Sequence, residues 1–229
     1  MNWEMRRAVG TKKEGFRRAT IWPAAIIALG LNVLSLQGGE STDKPVITET
    51  VSIWTNSVGG GFRRGVKELN ISGGYGYGLE IFGTTHQHNW WLTTAQFGWI
   101  LSDVVGRGHW YEGNWEAIVE GFGGEQTAPD RQVLFGGAPL LRYDFAAGHR
   151  LVPFVDAGSG ISYTTIKNGD LSTGFEFNLQ AALGLHYFVR KNIALTLQCR
   201  LIHLSNAGIE FPNLGVNNAT FLAGLTWCF

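Results

Sequence analysis

The feature that most constrains this chain is a period of two that recurs from Glu68 to the C-terminus. Eight segments alternate apolar side chains with polar or small ones, and turn-forming residues separate them. The pattern is clearest between Phe175 and Arg190. The segments cover residues 68–81, 90–102, 111–122, 131–145, 150–165, 175–190, 193–205 and 219–229. The alternation therefore predicts an all-β domain of eight strands.

Two architectures fit such strands: a soluble sandwich with an apolar core, and a membrane barrel with its apolar face in lipid. The segments are longer than the roughly 5 to 6 residues of a soluble strand, and their number is even. The chain has 32 glycines, 9 tryptophans and 14 phenylalanines, and it ends on Phe229. Small residues suit a narrow barrel interior, and aromatic residues suit girdles at the membrane interfaces. We therefore predict an eight-stranded antiparallel transmembrane β-barrel.

The same phase assigns side chains to the two faces of the barrel. On the sixth segment, Leu183, Leu185 and Tyr187 are expected to contact lipid. Polar residues of opposite phase are expected to pack the interior. They are Arg150, Asp156, Glu176, Gln180, His186, Arg190 and Arg200.

The first 38 residues differ from the rest. Basic residues precede an apolar run, Ile21 to Leu36, that is shorter than the roughly 20 residues of a membrane span. This order predicts a signal segment at residues 1–38, with a retained anchor helix as the alternative. Residues 39–67 form an N-terminal extension, and residues 68–229 form the barrel. Without the signal segment, 12 basic and 16 acidic residues remain, which is not the footprint of a nucleic-acid-binding protein.

The end of the seventh segment places His203 and Ser205 together on its apolar face. A rise of two residues separates them by about 6.5 Å. Serine becomes a nucleophile when an adjacent base takes its proton, and a third group best fixes the tautomer of that base. The pair by itself also fits a structural role near a membrane interface. Neither Cys199 nor Cys228 has metal-ligand spacing, and no metal or cofactor is expected.

The wider string around this pair is more specific. His203-Leu-Ser-Asn-Ala-Gly-Ile209, followed by Pro212-Asn213 and Gly215, resembles the PagL-type lipid A 3-O-deacylases and their acyloxyacyl hydrolase relatives. The resemblance extends more loosely over about 160 residues, including residues 139–145 and 153–158. It implies an eight-stranded barrel in a Gram-negative cell outer membrane, with an active site on the outer wall and lipid A of lipopolysaccharide as its partner. It also implies that Ser205 is the nucleophile, that His203 is the base and that Asn206 helps to form the oxyanion hole.

The third catalytic position departs from the family pattern. The family places a glutamate fourteen residues after the histidine, where this chain has Asn217. An asparagine carbonyl can accept a hydrogen bond from imidazole, but it adds no negative charge. The phase puts Asn217 on the side of His203 and predicts a contact within about 3.2 Å. On this basis Asn217→Glu should preserve or raise activity. Glu210 is the alternative third member.

Two rival functions remain open at this stage. One is a non-enzymatic small barrel with a structural or surface-interaction role, in which the motif is a relic. The other is an esterase or acyltransferase that acts on another lipid. The residues do not determine which acyl chain is removed or whether the barrel forms a homodimer.

Overall fold

The computed structural model describes residues 62–147, 150–172 and 174–229. They form eight strands: β1 (Lys67–Leu79), β2 (Asn89–Ile100), β3 (Gly113–Ala128), β4 (Gln132–Phe145), β5 (Leu151–Thr164), β6 (Phe175–Arg190), β7 (Ile193–Ser205) and β8 (Val216–Cys228). Each strand pairs antiparallel with the next, and β1 pairs with β8, so the sheet closes into a barrel. This confirms the predicted fold. The proposed signal segment and most of the extension lie outside the described residues.

Two strand boundaries differ clearly from the predicted ones. β3 continues past residue 122 to Ala128, and its ladder runs through Gly123 and Gly124. Glycine has no side chain to mark a face, so the alternation fades there although the backbone pairing does not. β8 begins at Val216 instead of Ala219 because its ladder with β7 already includes Asn217 and Asn218. No helix in the described part of the chain is long and apolar enough to cross a membrane.

The face assignment holds along most of β6. Leu183 and Tyr187 are exposed on the outside, while Gln180 and His186 are buried in the interior. Arg190 and Arg150, which were expected to point inward, are instead exposed. Arg190 is the last residue of β6, where the ladder with β7 shifts register, and Arg150 precedes β5. A register shift of this kind re-aims the side chains at a strand end.

The barrel has two distinct ends. We call the end with the β1–β2, β3–β4, β5–β6 and β7–β8 connections the loop rim, and the end where β1 begins and β8 ends the terminal rim. A buried apolar cluster fills each end. The loop-rim cluster includes Trp90, Leu92, Phe122, Ile202, Leu204 and Leu222, and the terminal-rim cluster includes Phe62, Val66, Ile100, Val152 and Phe188.

Two buried arginines organise the polar layer between these clusters. Arg142 lies 2.8 Å from Glu68 and 3.1 Å from Asp156, and Arg200 lies 3.2 Å from Asp156. A buried charge without a partner is costly, and in these ion pairs the arginine and carboxylate charges compensate one another inside the barrel. The interior is therefore packed with side chains and is not an open channel.

Candidate active site

His203 and Asn217 face each other across the ladder between β7 and β8. His203 Nδ1 and Asn217 Oδ1 are 2.8 Å apart, within the distance predicted from the phase of the two strands. His203 is half-buried, whereas Asn217 is buried. Asn217 has an outward phase but is covered by the β1–β2 connection, which folds over the start of β8 and contacts the amide.

The orientation of the Asn217 amide follows from its partners. Asn217 Nδ2 donates to the carbonyl oxygen of Ile81 at 2.9 Å and to Thr84 Oγ1 at 2.7 Å. A backbone carbonyl can only accept a hydrogen bond, so the nitrogen of the amide must face Ile81. The amide oxygen is consequently the atom that faces His203.

This orientation fixes the tautomer of the neutral imidazole. Asn217 Oδ1 has no proton to donate, so the 2.8 Å contact requires His203 Nδ1 to carry the hydrogen. Nε2 then has a free lone pair. A histidine in this tautomer is ready to take a proton through Nε2, which is the state that a general base needs.

Ser205 lies two residues beyond His203 on the same outward phase of β7, and both side chains are half-buried. They lie opposite Phe177 and Leu179 of β6, whose side chains are exposed on the apolar wall. Among the described residues, no hydrogen bond joins Ser205 to His203. The serine thus shares a face with the imidazole at the edge of the apolar wall, without a hydrogen bond to it.

Asn206 follows the last residue of β7, and its side chain is buried. Its Nδ2 donates to Ser172 Oγ at 3.2 Å and to the carbonyl of Glu210 at 3.0 Å, while its Oδ1 accepts from the Gly208 amide at 2.9 Å. The strand end is irregular, as an oxyanion role would require, but both ends of this side chain are engaged by residues of the β7–β8 and β5–β6 connections. Asn206 therefore shapes the β7–β8 connection in the observed state.

Glu210, the alternative third member, is exposed in the same connection. Its backbone carbonyl accepts the hydrogen bond from Asn206. Within the described residues, its carboxylate makes no hydrogen bond or ion pair with His203. Of the two candidates, Asn217 is the one that contacts the imidazole.

The backbone of Gly215 lies directly against the His203 imidazole. Its φ is +82°, and a Cβ built on it would lie 2.8 Å from His203 Cε1. Its carbonyl accepts a hydrogen bond from Thr84 Oγ1 at 2.9 Å, and its amide donates to the Asp170 carbonyl at 3.1 Å. The absence of a side chain at this position lets the backbone pack directly against His203.

Asp170 connects three loops of the loop rim. Its buried carboxylate accepts hydrogen bonds from Thr85 Oγ1 at 2.6 Å, from His88 Nε2 at 2.9 Å and from the His86 amide at 3.0 Å. Its backbone carbonyl accepts the amides of Leu214 and Gly215. Burial acts to raise the pKa of Asp170, but the hydrogen bonds from Thr85 and His88 outweigh it and lower that pKa to about 2.

Sequence patterns did not reveal Thr84, Ile81 or Asp170 as parts of this site. Thr84 and Ile81 are separated from Asn217 by 133 and 136 residues, and barrel closure alone brings them together. Gly215 was part of the motif, but the motif did not show that its backbone packs against His203. A small polar loop such as Gly83-Thr-Thr-His86 carries no periodic signal that would predict these contacts.

The fold defines a class of protein: a closed eight-stranded antiparallel β-barrel, here with His203, Asn217 and Ser205 on the outward phase of β7 and β8. A family model of the lipid A 3-O-deacylases (PagL) matches residues 72–226. The chain therefore belongs to the PagL lipid A 3-O-deacylase family, and its barrel is an outer-membrane barrel.

Individual proteins show the extent of the similarity. The lipid A deacylase PagL of Pseudomonas aeruginosa is 30% identical over 133 residues, which cover 57% of this chain and 66% of that protein. The crystal structure of the outer membrane enzyme PagL is similar with a TM-score of 0.49 and 19% identity, covering 69% of this chain and 97% of the other. Neisserial surface protein A has a TM-score of 0.53 and 14% identity, covering 72% and 99% of the two chains. The last similarity supports the barrel fold alone.

Proposed function

We propose that this protein is an outer-membrane esterase that removes an ester-linked acyl chain from lipid A by a serine–histidine mechanism. Membership of the PagL family supports the substrate class. The hydrogen bond between His203 Nδ1 and Asn217 supports the mechanism because it leaves the lone pair of Nε2 available to accept a proton. Ser205 has the same outward phase on β7 as His203. Ser205 is the proposed nucleophile, and His203 is the proposed general base.

In the first half of the reaction, Ser205 Oγ attacks the ester carbonyl carbon while His203 Nε2 accepts the hydroxyl proton. The tetrahedral intermediate then collapses and the ester C–O bond breaks. The imidazolium gives its proton to the departing sugar oxygen, which leaves as an alcohol. The acyl chain remains on Ser205 as an ester.

In the second half, water replaces the sugar. His203 Nε2 takes a proton from water as the water oxygen attacks the acyl-serine carbonyl. Collapse of the second intermediate returns that proton to Ser205 Oγ and releases a free fatty acid. We propose that Asn206, at the irregular end of β7, helps to stabilise the oxyanion once its hydrogen bonds to the loop rearrange.

The position of the site suits a membrane lipid. Ser205 is the last residue of β7, so it lies where the apolar wall meets the loop rim. The exposed side chains of Phe177, Leu179 and Leu201 continue the apolar surface below it. An acyl ester of lipid A lies at the matching depth, between sugar and hydrocarbon, and reaches the wall by lateral diffusion without a deep pocket.

Asn217 is the proposed third member of the site. Its side chain is buried between His203 and the β1–β2 connection. Its role is to orient the imidazole. Unlike a glutamate, it supplies no charge to stabilise the imidazolium.

Mass spectrometry of lipid A from Gram-negative cells expressing the protein tests the proposal. Wild type should remove one ester-linked acyl chain, and Ser205→Ala should not. Ser159→Ala is the matched control, since Ser159 is an exposed serine on the outward face of β5. Intact lipid A in cells with folded wild-type barrel, or full activity of Ser205→Ala, would reject the proposal and favour a non-enzymatic barrel.

The same assay separates the two candidate third members. Asn217→Ala should lower deacylation without unfolding the barrel, and Glu210→Ala should retain it. An inactive Glu210→Ala beside a fully active Asn217→Ala would assign the role to Glu210 instead.

A further inference from the structure

We propose that Thr84 is a positioning residue that holds the Asn217 amide in one orientation and thereby sets the tautomer of His203. This inference rests on the proposed function and adds to it a residue from the β1–β2 connection. Within the described residues, Thr84 makes no hydrogen bond to the imidazole. It acts through Asn217.

The hydrogen bonds of Thr84 can be assigned without ambiguity. The side chain is buried, and its Oγ1 lies 2.9 Å from the Gly215 carbonyl and 2.7 Å from Asn217 Nδ2. A carbonyl only accepts, so the single hydroxyl proton of Thr84 goes to Gly215. The hydroxyl oxygen must then accept the hydrogen bond from Asn217, which requires the amide nitrogen on that side.

A tight turn presents two acceptors to the same amide. The Thr84 amide donates to the Ile81 carbonyl at 3.2 Å, which closes the turn. The two central residues, Phe82 and Gly83, have φ values of +55° and +106°. The turn thus places the Ile81 carbonyl and the Thr84 hydroxyl side by side, opposite the two hydrogens of Asn217 Nδ2.

The opposite orientation of the Asn217 amide would give His203 the wrong tautomer. A flipped Asn217 would bring its oxygen against the Ile81 carbonyl and its nitrogen against His203 Nδ1. Nδ1 would then accept a hydrogen bond, the ring proton would move to Nε2, and Ser205 would lose its base. In serine triads, an amide in place of the acid costs about 10⁴ in kcat because the histidine takes this wrong tautomer.

Thr84 and Asn217 therefore work as a pair. A carboxylate at position 217 would hold the correct tautomer by itself, because both of its oxygens accept. An amide has one accepting end and one donating end, so neighbouring groups must determine which end faces His203. The Ile81 carbonyl and the Thr84 hydroxyl do this by accepting hydrogen bonds from the amide nitrogen. Of the two, only Thr84 acts through a side chain.

Nitrogen NMR of histidine tests the proposal independently of catalysis. The protein is labelled with ¹⁵N-histidine, folded in detergent micelles and measured at alkaline pH, where imidazoles are neutral. The His203 signals are assigned among the 6 histidines by their loss in His203→Gln. Wild type should show a protonated Nδ1 and an unprotonated Nε2 at His203. Thr84→Val, which keeps the shape but removes the hydroxyl, should shift the population toward protonated Nε2.

Two variants serve as controls for this measurement. Thr84→Ser retains the hydroxyl and should give the wild-type tautomer. Thr85→Val removes a neighbouring hydroxyl that binds Asp170 instead of Asn217 and should leave the His203 tautomer unchanged. Identical His203 tautomer populations in wild type and Thr84→Val would overturn the proposal, as would an equal shift in Thr85→Val.

A double-mutant cycle adds the link to activity. Thr84→Val should lower kcat for lipid A deacylation about tenfold or more, the loss expected when a buried hydrogen bond is removed. In an Asn217→Ala background, Thr84→Val should have little further effect, because the group that it positions is gone. Additive losses would show that Thr84 only braces the loop and would overturn the proposal. If wild type has no deacylase activity, the proposed function fails, and the NMR result still decides the role of Thr84.

Discussion

The backbone of Gly215 leaves no space for a side chain beside His203. Its φ of +82° lies in the left-handed region, and an added Cβ would lie 2.8 Å from His203 Cε1 and 3.3 Å from the Leu204 carbonyl oxygen. Optimal contact between carbon atoms requires about 3.5 to 4.0 Å. Gly215→Ala must therefore displace the imidazole or the backbone by about 0.7 Å or more.

The expected effect of Gly215→Ala has two parts. Adopting the left-handed region costs a non-glycine residue about 1 to 2 kcal/mol of stability. Displacement of the imidazole affects catalysis instead, and a shift of about 1 Å can cost roughly 10²-fold in rate. We expect Gly215→Ala to fold into a barrel and to lose about 10²-fold in kcat, because the imidazole is displaced from the position that Asn217 sets.

Gly108→Ala is the matched control. Its φ is +78°, nothing lies within 4 Å of its added Cβ, and it belongs to the terminal rim. It should carry the same backbone cost without a change in activity. Purified variants are compared by release of fatty acid from lipid A, with heat-dependent gel mobility as the check on folding. A folded Gly215→Ala with the wild-type rate, or an equal loss in Gly108→Ala, would refute the argument.

Three further outcomes are expected. Leu183→Arg should destabilise the barrel by about 2 to 4 kcal/mol in lipid vesicles, measured by urea unfolding, because Leu183 is exposed midway along β6. The pKa of Asp170 is about 2 in the folded protein, against an ordinary value of 3.8. Its ionised carboxylate therefore adds about 2 kcal/mol to the free energy of unfolding above about pH 4, and this contribution is lost as the pH falls toward 2. Thermal unfolding scans over that range should show this loss in wild type and not in Asp170→Asn. Asn217→Glu should lower deacylase activity, since a carboxylate oxygen would meet the Ile81 carbonyl where an amide nitrogen now donates.

The alternation of side chains was sufficient to predict the barrel. Strand number, closure and most inward and outward assignments follow from a period of two, because a strand with one lipid face cannot slip by one residue without exposing its polar side chains. The contact between His203 and Asn217 was also predictable. Both residues belong to one hairpin, and their phases on β7 and β8 set them opposite each other.

The partners from other loops were not predictable in this way. Thr84 forms a hydrogen bond with Asn217 only because β1 pairs with β8. Asp170 forms its hydrogen bond to the β1–β2 connection across the loop rim. Loop conformations at a rim depend on tertiary hydrogen bonds, which leave no period in the sequence. From the phase of the strands alone, we expected a glutamate at position 217 to equal or surpass asparagine. The acceptor groups of Ile81 and Thr84 beside this position lead us to predict the opposite.

The third member of a serine–histidine site makes two contributions, and Asn217, the proposed third member here, can make only one of them. One is orientation: Asn217 Oδ1 holds the Nδ1 hydrogen of His203 as a carboxylate oxygen would. The other is charge, which stabilises the imidazolium when Ser205 loses its proton, and an amide does not supply it. Because Asn217 is buried and contacts His203, Ile81 and Thr84 instead of the outer wall, its lack of charge should affect the chemical step and not the binding of lipid. The cost of asparagine at this position should therefore appear in kcat, with KM nearly unchanged.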